Sequence, residues 1–221
     1  MVVSPTDLAA AEAARQARAS LRSRQLLDAA ARLMERDGSE AVSMQALAAE
    51  AGVSVGLIYR YFGSKDDVLL AVIVDVLDAF GSQVPAAVEG AGADPVRRLA
   101  AAFGAYCRVI DAHRHAAVLT YRESKSLDDA GRARIKRLEI DTSEPLRQAV
   151  RDGVEAGLLV APDPDLVAYN LLLLAHAWAL KHWYFERTMS LDAYVAAQLA
   201  LALHAVVTPS RWDDYPDLLG E

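Results

Sequence analysis

Two short helices joined by a tight turn are predicted between residues 43 and 65, and this pattern constrains the fold more than any other feature of the sequence. Ser43 can cap a first helix and Gly52 can end it, because glycine readily adopts the left-handed conformation found just after helices. Ser54 can then cap a second helix that runs to about Tyr61. Apolar positions of the first helix recur at three- and four-residue intervals: Met44, Leu47, Ala48 and Ala51. The arrangement predicts a helix-turn-helix, whose second helix presents its N-terminal end to base edges of DNA.

The polar side chains of this segment suit a DNA surface. Tyr59, Tyr61 and Lys65 can donate hydrogen bonds to phosphates, and Gln45 on the first helix can pair both of its amide atoms with an adenine edge. The alternative is that the two tyrosines pack in the core and that Lys65 is a solvated surface charge. In the DNA-binding interpretation, phosphate contacts fix the register and Gln45 reads the sequence.

The order and spacing of several motifs resemble the DNA-binding domain of the tetracycline-repressor (TetR) family. The matching runs are Gln25-Leu-Leu-Asp-Ala-Ala, Gly38, Ser43-Met-Gln-Ala-Leu-Ala, Ala51-Gly-Val-Ser, Leu57-Ile-Tyr-Arg-Tyr-Phe and Ser64-Lys-Asp-Asp-Val-Leu. The resemblance implies that Tyr59, Tyr61 and Lys65 grip phosphates. It also implies a ligand-responsive transcriptional regulator, most often a repressor, that binds a palindromic operator as a homodimer and is released by a small molecule.

Base reading by the second helix is predicted to be sparse. The resemblance implies that Gln45, Val55 and Gly56 face the DNA bases. Valine, however, is apolar and glycine has no side chain, so neither can form a hydrogen bond to a base through its side chain. Either Val55 touches a thymine methyl group, or Gln45 and the shape of the DNA carry much of the specificity. The full set of predicted DNA contacts is Arg22, Ser43, Met44, Gln45, Ser54, Val55, Gly56, Leu57, Tyr59, Arg60, Tyr61 and Lys65.

The composition favours an all-α protein of about nine helices. The chain has 221 residues, of which 53% are hydrophobic and only 12 are glycine and 8 proline, enough for a small headpiece and a larger helical domain. With no run of 18 apolar residues and no basic segment before an apolar stretch at the N-terminus, we expect a cytoplasmic protein without a membrane partner. The predicted parts are an N-terminal extension at 1–19, the helix-turn-helix domain at 20–66, an effector-binding and dimerisation domain at 67–207 and a C-terminal tail at 208–221.

Charge is distributed unevenly along the chain. Residues 15–65 carry eight basic and five acidic side chains, a balance of +3, whereas residues 67–221 carry 15 basic and 22 acidic side chains, a balance of −7. The headpiece is therefore the basic part, and the acidity of the whole chain says little against DNA binding. An alanine-rich stretch before the helix-turn-helix motif carries three arginines: Arg15, Arg18 and Arg22. This stretch is either a helical extension, a flexible arm that reaches the DNA, or a solvated tail.

Capping and breaking residues predict the helices of the larger domain. Ser64 stands three residues before Asp67, the spacing of a capping box, and opens a helix. The segment 85–94, rich in Ala and Gly, is predicted to be a linker. Further helices are predicted at 95–112, 114–124, 128–156, 164–187 and 191–207. Pro145 is expected to kink the helix at 128–156 or to split it into two.

The last two of these helices are apolar on nearly all sides. A helix of this kind must be covered on more than one side, and a second subunit is the simplest cover. We therefore predict a homodimer held by a four-helix interface, two helices from each chain, which matches the habit of the family. On this interpretation, a charge placed at Leu199 is expected to give monomers or insoluble protein.

Aromatic and polar residues of the larger domain are candidates for an effector site. They can line an apolar cavity with a few polar anchors, although for any one of them ordinary core or interface packing is the favoured interpretation. The candidates are Phe103, Tyr106, Tyr121, Arg122, Tyr169, Asn170, His176, Trp178, Lys181 and Trp183. Cations near Trp178 and next to Tyr121 favour a lipophilic effector with an acidic end, such as a fatty acid or acyl-coenzyme A, similar to lipid-responsive members of the family.

Catalytic and metal-binding patterns find little support in the sequence. His113 and His115 would point in different directions on a helix, and Cys107 has no recognisable histidine partner motif. Neither a Gly-Lys-Ser/Thr nor a Gly-x-Gly-x-x-Gly phosphate loop occurs. We therefore expect no enzyme, cofactor or metal site. The alternative of a different class is an all-helical lipid carrier or hydrolase without specific DNA binding.

Overall fold

The computed structural model describes residues 5–220, with side chains described from Leu21 onward. It confirms the predicted all-α fold, and among these residues the only strand-like feature is a single bridge between Leu159 and Val207. The first four helices are α1 Pro5–Asp37, α2 Met44–Glu50, α3 Val55–Tyr61 and α4 Lys65–Gly90. They are followed by α5 Pro95–Ala112, α6 Arg114–Glu123, α7 Asp129–Glu155, α8 Pro164–Leu180, α9 His182–Phe185, α10 Leu191–Val206 and α11 Pro216–Leu219. By contacts the chain divides into two compact units, before and after the boundary between Asp75 and Val76.

The first unit is a small helical headpiece. Its core consists of apolar side chains from α1, α2, α3 and the start of α4: Leu26, Met34, Leu47, Ile58, Leu69 and Ile73, each almost fully buried. Ser64 caps α4 through Asp67, since the Asp67 N–H donates to Ser64 Oγ at 3.2 Å and the Ser64 hydroxyl donates to Asp67 Oδ2 at 2.8 Å. The predicted start of a helix at Ser64 is confirmed, with Asp67 paired to the serine hydroxyl. The Ala-rich stretch before residue 21 belongs to α1, and its side chains lie outside the described residues.

Two expectations about prolines need correction. The predicted linker at 85–94 is wrong, because α4 continues through Pro85 to Gly90 and ends in a short turn with Gly92 at a φ of +81°. Burial of Val84 stabilises the helix across the proline. Pro145 does not split α7, which is one helix from Asp129 to Glu155. Hydroxyls just before the proline donate to carbonyls of the same helix, a pattern that accommodates a local bend: Thr142 to Leu138 at 2.8 Å and Ser143 to Ile140 at 2.7 Å.

The second unit is a helical bundle centred on α5. This helix packs against α7, α8 and α10, while α6 packs against α8. Ten residues of α5 are buried. Asp94 caps the start of α5 by accepting hydrogen bonds from the N–H groups of Val96 and Arg97 at 2.8 and 3.0 Å. The helix predicted at 164–187 ends earlier, at Leu180, because Lys181 leaves the helical conformation before the short α9 begins.

Beyond Val207 the chain is built into the bundle. Residues Pro209–Asp214 form a 3₁₀ helix, α11 follows, and Tyr215 and Leu219 are buried. The segment predicted as a tail is therefore ordered secondary structure with side chains in the core.

Within the described part of the chain, one helix, α4, is long and apolar enough to cross a membrane. Its apolar side chains are instead buried within the protein, which is the pattern of a core helix: Val68, Leu69, Val72, Ile73, Val76, Phe80 and Val84.

Candidate nucleic-acid interface and ligand cleft

Serine caps and a glycine turn hold α2 and α3 in place. Ser43 Oγ accepts from the Ala46 N–H at 3.1 Å, and Ser54 Oγ accepts from the Leu57 N–H at 3.2 Å. Between the helices Gly52 has a φ of +63°, a conformation that residues with a side chain adopt only at a cost. The predicted helix-turn-helix geometry is thus present, with the N-terminus of α3 fixed by its own cap.

The outer face of α3 carries exposed aromatic and basic groups. Tyr59 and Tyr61 are 52% and 42% exposed, so neither is a core residue, and the Arg60 guanidinium lies 5.6 Å from the centre of the Tyr61 ring. Gly56 is exposed, whereas Val55 and Leu57 are half-buried. The helix can therefore donate hydrogen bonds to DNA phosphates from two tyrosine hydroxyls and one guanidinium group. Toward the bases it presents only Val55 and Gly56.

The remaining candidates near this surface differ in accessibility. Gln45 and Arg22 are exposed, as are the capping serines. Met44 is only 7% exposed, because its side chain fills the core beneath α2, so its prediction as a DNA contact is corrected to a packing role. Lys65 is half-buried and its Nζ donates to the Glu40 carbonyl at 2.9 Å. This bond ties the start of α4 to the loop after α1.

In the second unit, two of the predicted effector residues, Tyr106 and Tyr121, contact a third, His176. The Tyr121 hydroxyl and His176 Nδ1 are hydrogen-bonded at 3.0 Å, and the rings of Tyr121 and Tyr106 approach the imidazole edge-on at 5.5 and 6.0 Å. Tyr169 lies on the same flank of α8 as His176, two turns away. Tyr121 and Tyr169 are exposed while Tyr106 is buried, so this cluster of side chains, called the aromatic cleft below, reaches from the core to the surface.

Three cleft residues were missed by the sequence reasoning. Phe80 stacks on Tyr106 with ring centres 3.9 Å apart, and Thr142 is hydrogen-bonded to the Tyr106 hydroxyl. Glu139 interacts electrostatically with Tyr106 and Tyr121. The available signal was the position of Glu139 on α7, one turn before Thr142 on the side of the helix that carries its apolar residues.

The other predicted effector residues do not join this cleft. Phe103 is a fully buried core residue, and Trp178 is buried with its Nε1–H donating to Asp111 at 2.8 Å, so both are corrected to packing roles. The remaining four candidates are exposed at the surface: Arg122, Asn170, Lys181 and Trp183. Basic side chains stand near the indole, because Arg114 pairs with Asp111 at 3.6 Å and the His182 ring packs against Trp178, so the cationic clamp around Trp178 stays a prediction.

A groove of about 280 Å³ lies between α8 and α10. Its walls are mainly aliphatic, with two amides: Val167, Asn170, Leu171, Leu174, Gln198, Leu201, Ala202, Ala205 and Val206. The flank of α8 that lines this groove is opposite to the flank that carries Tyr169 and His176. The groove and the aromatic cleft are therefore distinct surfaces.

Burial in the cleft lowers the pKa of His176 from 6.5 to about 4. Between these values the unfolded chain binds more protons than the folded one, so the free energy of unfolding should fall as the pH falls from about 6.5 toward 4. Replacing this side chain by a neutral one, His176→Gln, should flatten the profile in that window. Urea titrations of both proteins at several pH values measure the difference. Parallel pH profiles for the two proteins would contradict this assignment.

Metal and thiol chemistry have no evident site in the described part of the chain. From residue 21 to residue 220 no three side chains among His, Cys, Asp and Glu are grouped as metal ligands. Burial raises the pKa of Cys107 to about 12, so its thiol stays protonated and acts as a small apolar core group.

Comparison with known proteins assigns both parts of the chain to family profiles. Residues 26–72 match bacterial regulatory proteins of the tetR family, and residues 92–206 match the tetracyclin repressor-like C-terminal domain. The HTH-type transcriptional regulator HbdR of Aromatoleum sp. (strain CIB) is 40% identical over 187 residues, which cover 85% of this chain and 81% of that protein.

Solved structures share the fold. The TetR family regulator PfmR of Thermus thermophilus is 28% identical with a TM-score of 0.72, covering 81% of this chain and 97% of that one. AibR, solved in complex with isovaleryl coenzyme A and operator DNA, is 23% identical with a TM-score of 0.69, over 81% of this chain and 97% of its own. At this level of identity the likeness to AibR concerns the fold alone.

Proposed function

Because the chain belongs to the TetR family of ligand-responsive transcriptional regulators, we propose that it is a cytoplasmic repressor that binds a palindromic operator as a homodimer. A small lipophilic effector in the second unit releases it from the DNA. The observation that carries the DNA-binding part is the Ser54-capped α3 with its exposed tyrosines, Tyr59 and Tyr61.

The dimer proposal is supported by two exposed apolar surfaces, a stripe on α8 and the rim of the groove between α8 and α10. Leu166, Leu173 and Leu180 are spaced seven residues apart, so they lie along one side of α8, and all are exposed. Leu201 on α10 is 69% exposed beside the aliphatic groove. A second copy of the chain would cover this surface and set two α3 helices at the spacing of successive major grooves, about 34–36 Å.

The effector proposal is supported by the aromatic cleft of the second unit, which offers an apolar floor with a few polar groups. AibR, whose fold is shared, was solved with an acyl-coenzyme A ester. A coenzyme A ester is therefore our preferred effector class, with its acyl part directed toward the cleft. A free fatty acid is the second candidate, since Arg114 and His182 stand near Trp178 and could receive a carboxylate.

DNA binding can be tested with a labelled fragment from upstream of the protein's own gene. Purified protein is expected to prefer this fragment over random DNA at physiological salt, with affinity falling steeply as salt rises. Equal binding to both fragments would contradict the repressor proposal and favour the all-helical carrier or hydrolase alternative.

Single substitutions should separate phosphate contacts from base reading. Tyr59→Ala removes a hydroxyl that grips phosphates, so it should weaken binding to all sequences alike, by roughly tenfold. Gln45→Ala should relax preference mainly at one base position, at a cost of about 1–3 kcal/mol for the preferred base. Competition among single-base operator variants measures both effects.

An exposed tyrosine in the second unit provides the control for these variants. Tyr184 is about as accessible as Tyr59, and Tyr184→Ala should leave DNA binding unchanged. An unaltered base preference in Gln45→Ala would rule out its reading role.

A further inference from the structure

One side of α8 carries a repeat typical of helices that pair with one another. Positions spaced alternately four and three residues apart lie along one side of a helix and match the 3.5-residue period of paired helices. On the outer side of α8 these positions are Leu166, Asn170, Leu173, Ala177 and Leu180. The three leucines and Asn170 are exposed, and Ala177 is half-buried. Asn170 is thus the one polar position in this stripe of α8.

Asn170 also lines the groove between α8 and α10. From there the groove continues around α8, away from the stripe, along three aliphatic residues: Val167, Leu171 and Leu174. The second amide of the groove, Gln198 on α10, is hydrogen-bonded to the Tyr194 hydroxyl of its own helix. Stripe and groove are therefore neighbouring surfaces, and Asn170 stands on the border between them.

Neither of the two surfaces contains an ionisable side chain. The groove is lined by aliphatic residues and two amides, and the rest of the stripe is leucine and alanine. The whole chain has a formal net charge of −7 at pH 7, so two identical copies repel each other on approach. This repulsion is weakest where uncharged apolar surfaces meet. The stripe and the groove together therefore suit a second copy of the chain.

A two-fold axis would place the border residue against itself. In a symmetric dimer every contact occurs twice, so the stripe of each copy covers the groove of the other. The axis then passes between stripe and groove, where Asn170 lies. A primary amide both donates and accepts hydrogen bonds, so it can pair with an identical amide, which two carboxylates or two ammonium groups cannot do.

We propose that Asn170 is the register-determining residue of the homodimer and that its amide pairs across the two-fold axis with the same amide of the second copy. This inference rests on the proposed function, since it takes the chain as a homodimer. Leucines alone would allow registers one helical turn apart, because apolar packing has little direction. An amide that leaves water without a partner is costly, so registers that separate the two asparagines are disfavoured. A single asparagine fixes the pairing of coiled-coil helices in the same way.

Asn170 is the only asparagine of the chain, so labelling with ¹⁵N-asparagine gives a single side-chain amide to observe by NMR. In the wild-type dimer the protons of this amide are expected to exchange with water at least about tenfold more slowly than those of asparagine in an unstructured peptide. Exchange as fast as in the peptide, in a protein that sediments as a dimer, would overturn the proposal and leave the proposed function in place. A wild-type protein that sediments as a monomer would overturn both.

Asn170→Leu completes the apolar stripe and removes the polar pair. Sedimentation is expected to show tighter self-association than in the wild type, with species larger than the dimer. Operator affinity should nevertheless fall by at least about tenfold, since chains paired out of register cannot set both α3 helices on one operator. A variant that remains a dimer with unchanged operator affinity would contradict the register role.

Asn170→Asp nearly preserves the size of the side chain and sets two like charges against each other at the axis. The dissociation constant of the dimer should rise at least about tenfold at pH 7. Gln83→Glu makes the same amide-to-carboxylate change at an exposed position of α4 and should leave dimerisation unchanged. An Asn170→Asp protein that dimerises as tightly as the Gln83→Glu control would also overturn the proposal.

Discussion

Leu201→Glu is expected to convert the dimer into a folded monomer and to lower operator affinity by at least about 100-fold. The side chain is 69% exposed in the protomer, so a glutamate there costs the fold little. In the proposed dimer the same position lies in the aliphatic interface, where an unpaired charge is costly. Two linked headpieces gain roughly 10²–10⁴ in avidity over one, and a monomer loses that gain. Sedimentation velocity measures the first effect and fluorescence anisotropy with operator DNA the second.

Leu201, and not Leu199 as expected from the sequence, is the position on α10 where a charge reports on the dimer. Leu199 was the residue expected to report on the dimer, but it is buried in the core of the protomer, so a charge there would unfold the chain whatever its oligomeric state. Ile140, which is 59% exposed on α7, provides the control: Ile140→Glu adds the same charge outside the stripe and should remain dimeric. A wild-type protein that sediments as a monomer, or a Leu201→Glu protein that stays dimeric, would contradict the arrangement.

The headpiece could be predicted in detail because its signals are local. Capping by Ser43 and Ser54, and the left-handed turn at Gly52, each depend on residues within one helical turn of each other. The structure contains these bonds at the expected positions, and α3 has the predicted bounds. The prediction of Met44 as a DNA contact came from its place in the family motif, although Met44 also belongs to the apolar positions of α2, which the structure buries.

Predictions for the larger domain failed where packing overrides local preference. Pro85 lacks the N–H of a helical bond and costs a helix roughly 3 kcal/mol. The helix nevertheless continues, because residues close to the proline, Phe80 and Val84, are buried. Lys181 shows the reverse: nothing local forbids a helix there, and yet α8 ends. The short α9 that follows allows His182 to contact Arg114, 68 residues earlier.

The composition of the cleft was also beyond the reach of the sequence. Tyr106, Tyr121 and His176 come from three helices, and only tertiary packing brings them together. Among ten candidates with similar chemistry, no pattern separated them from Phe103 or Trp178, which are core residues.

Deleting residues 208–221 is expected to lower the melting temperature by roughly 10 °C or more. Tyr215 and Leu219 are buried in the bundle, and truncating one large core side chain costs about 2–5 kcal/mol. The segment also supports the start of α5: the Tyr215 hydroxyl donates to Asp94 Oδ2 at 2.9 Å, and Arg97 pairs with Asp217 at 3.0 Å. Thermal unfolding followed by circular dichroism measures the change.

This segment lies beyond the C-terminal family match, which stops at residue 206. Tyr215→Phe keeps the buried ring and removes only the bond to Asp94, and should cost about 1 kcal/mol, a shift of a few degrees. Asp213→Ala changes an exposed side chain of the same segment and should leave the melting temperature unchanged. If the truncated protein melted with the wild type, the packing of Tyr215 and Leu219 would contribute nothing to stability, and residues 208–221 would be an appendage after all.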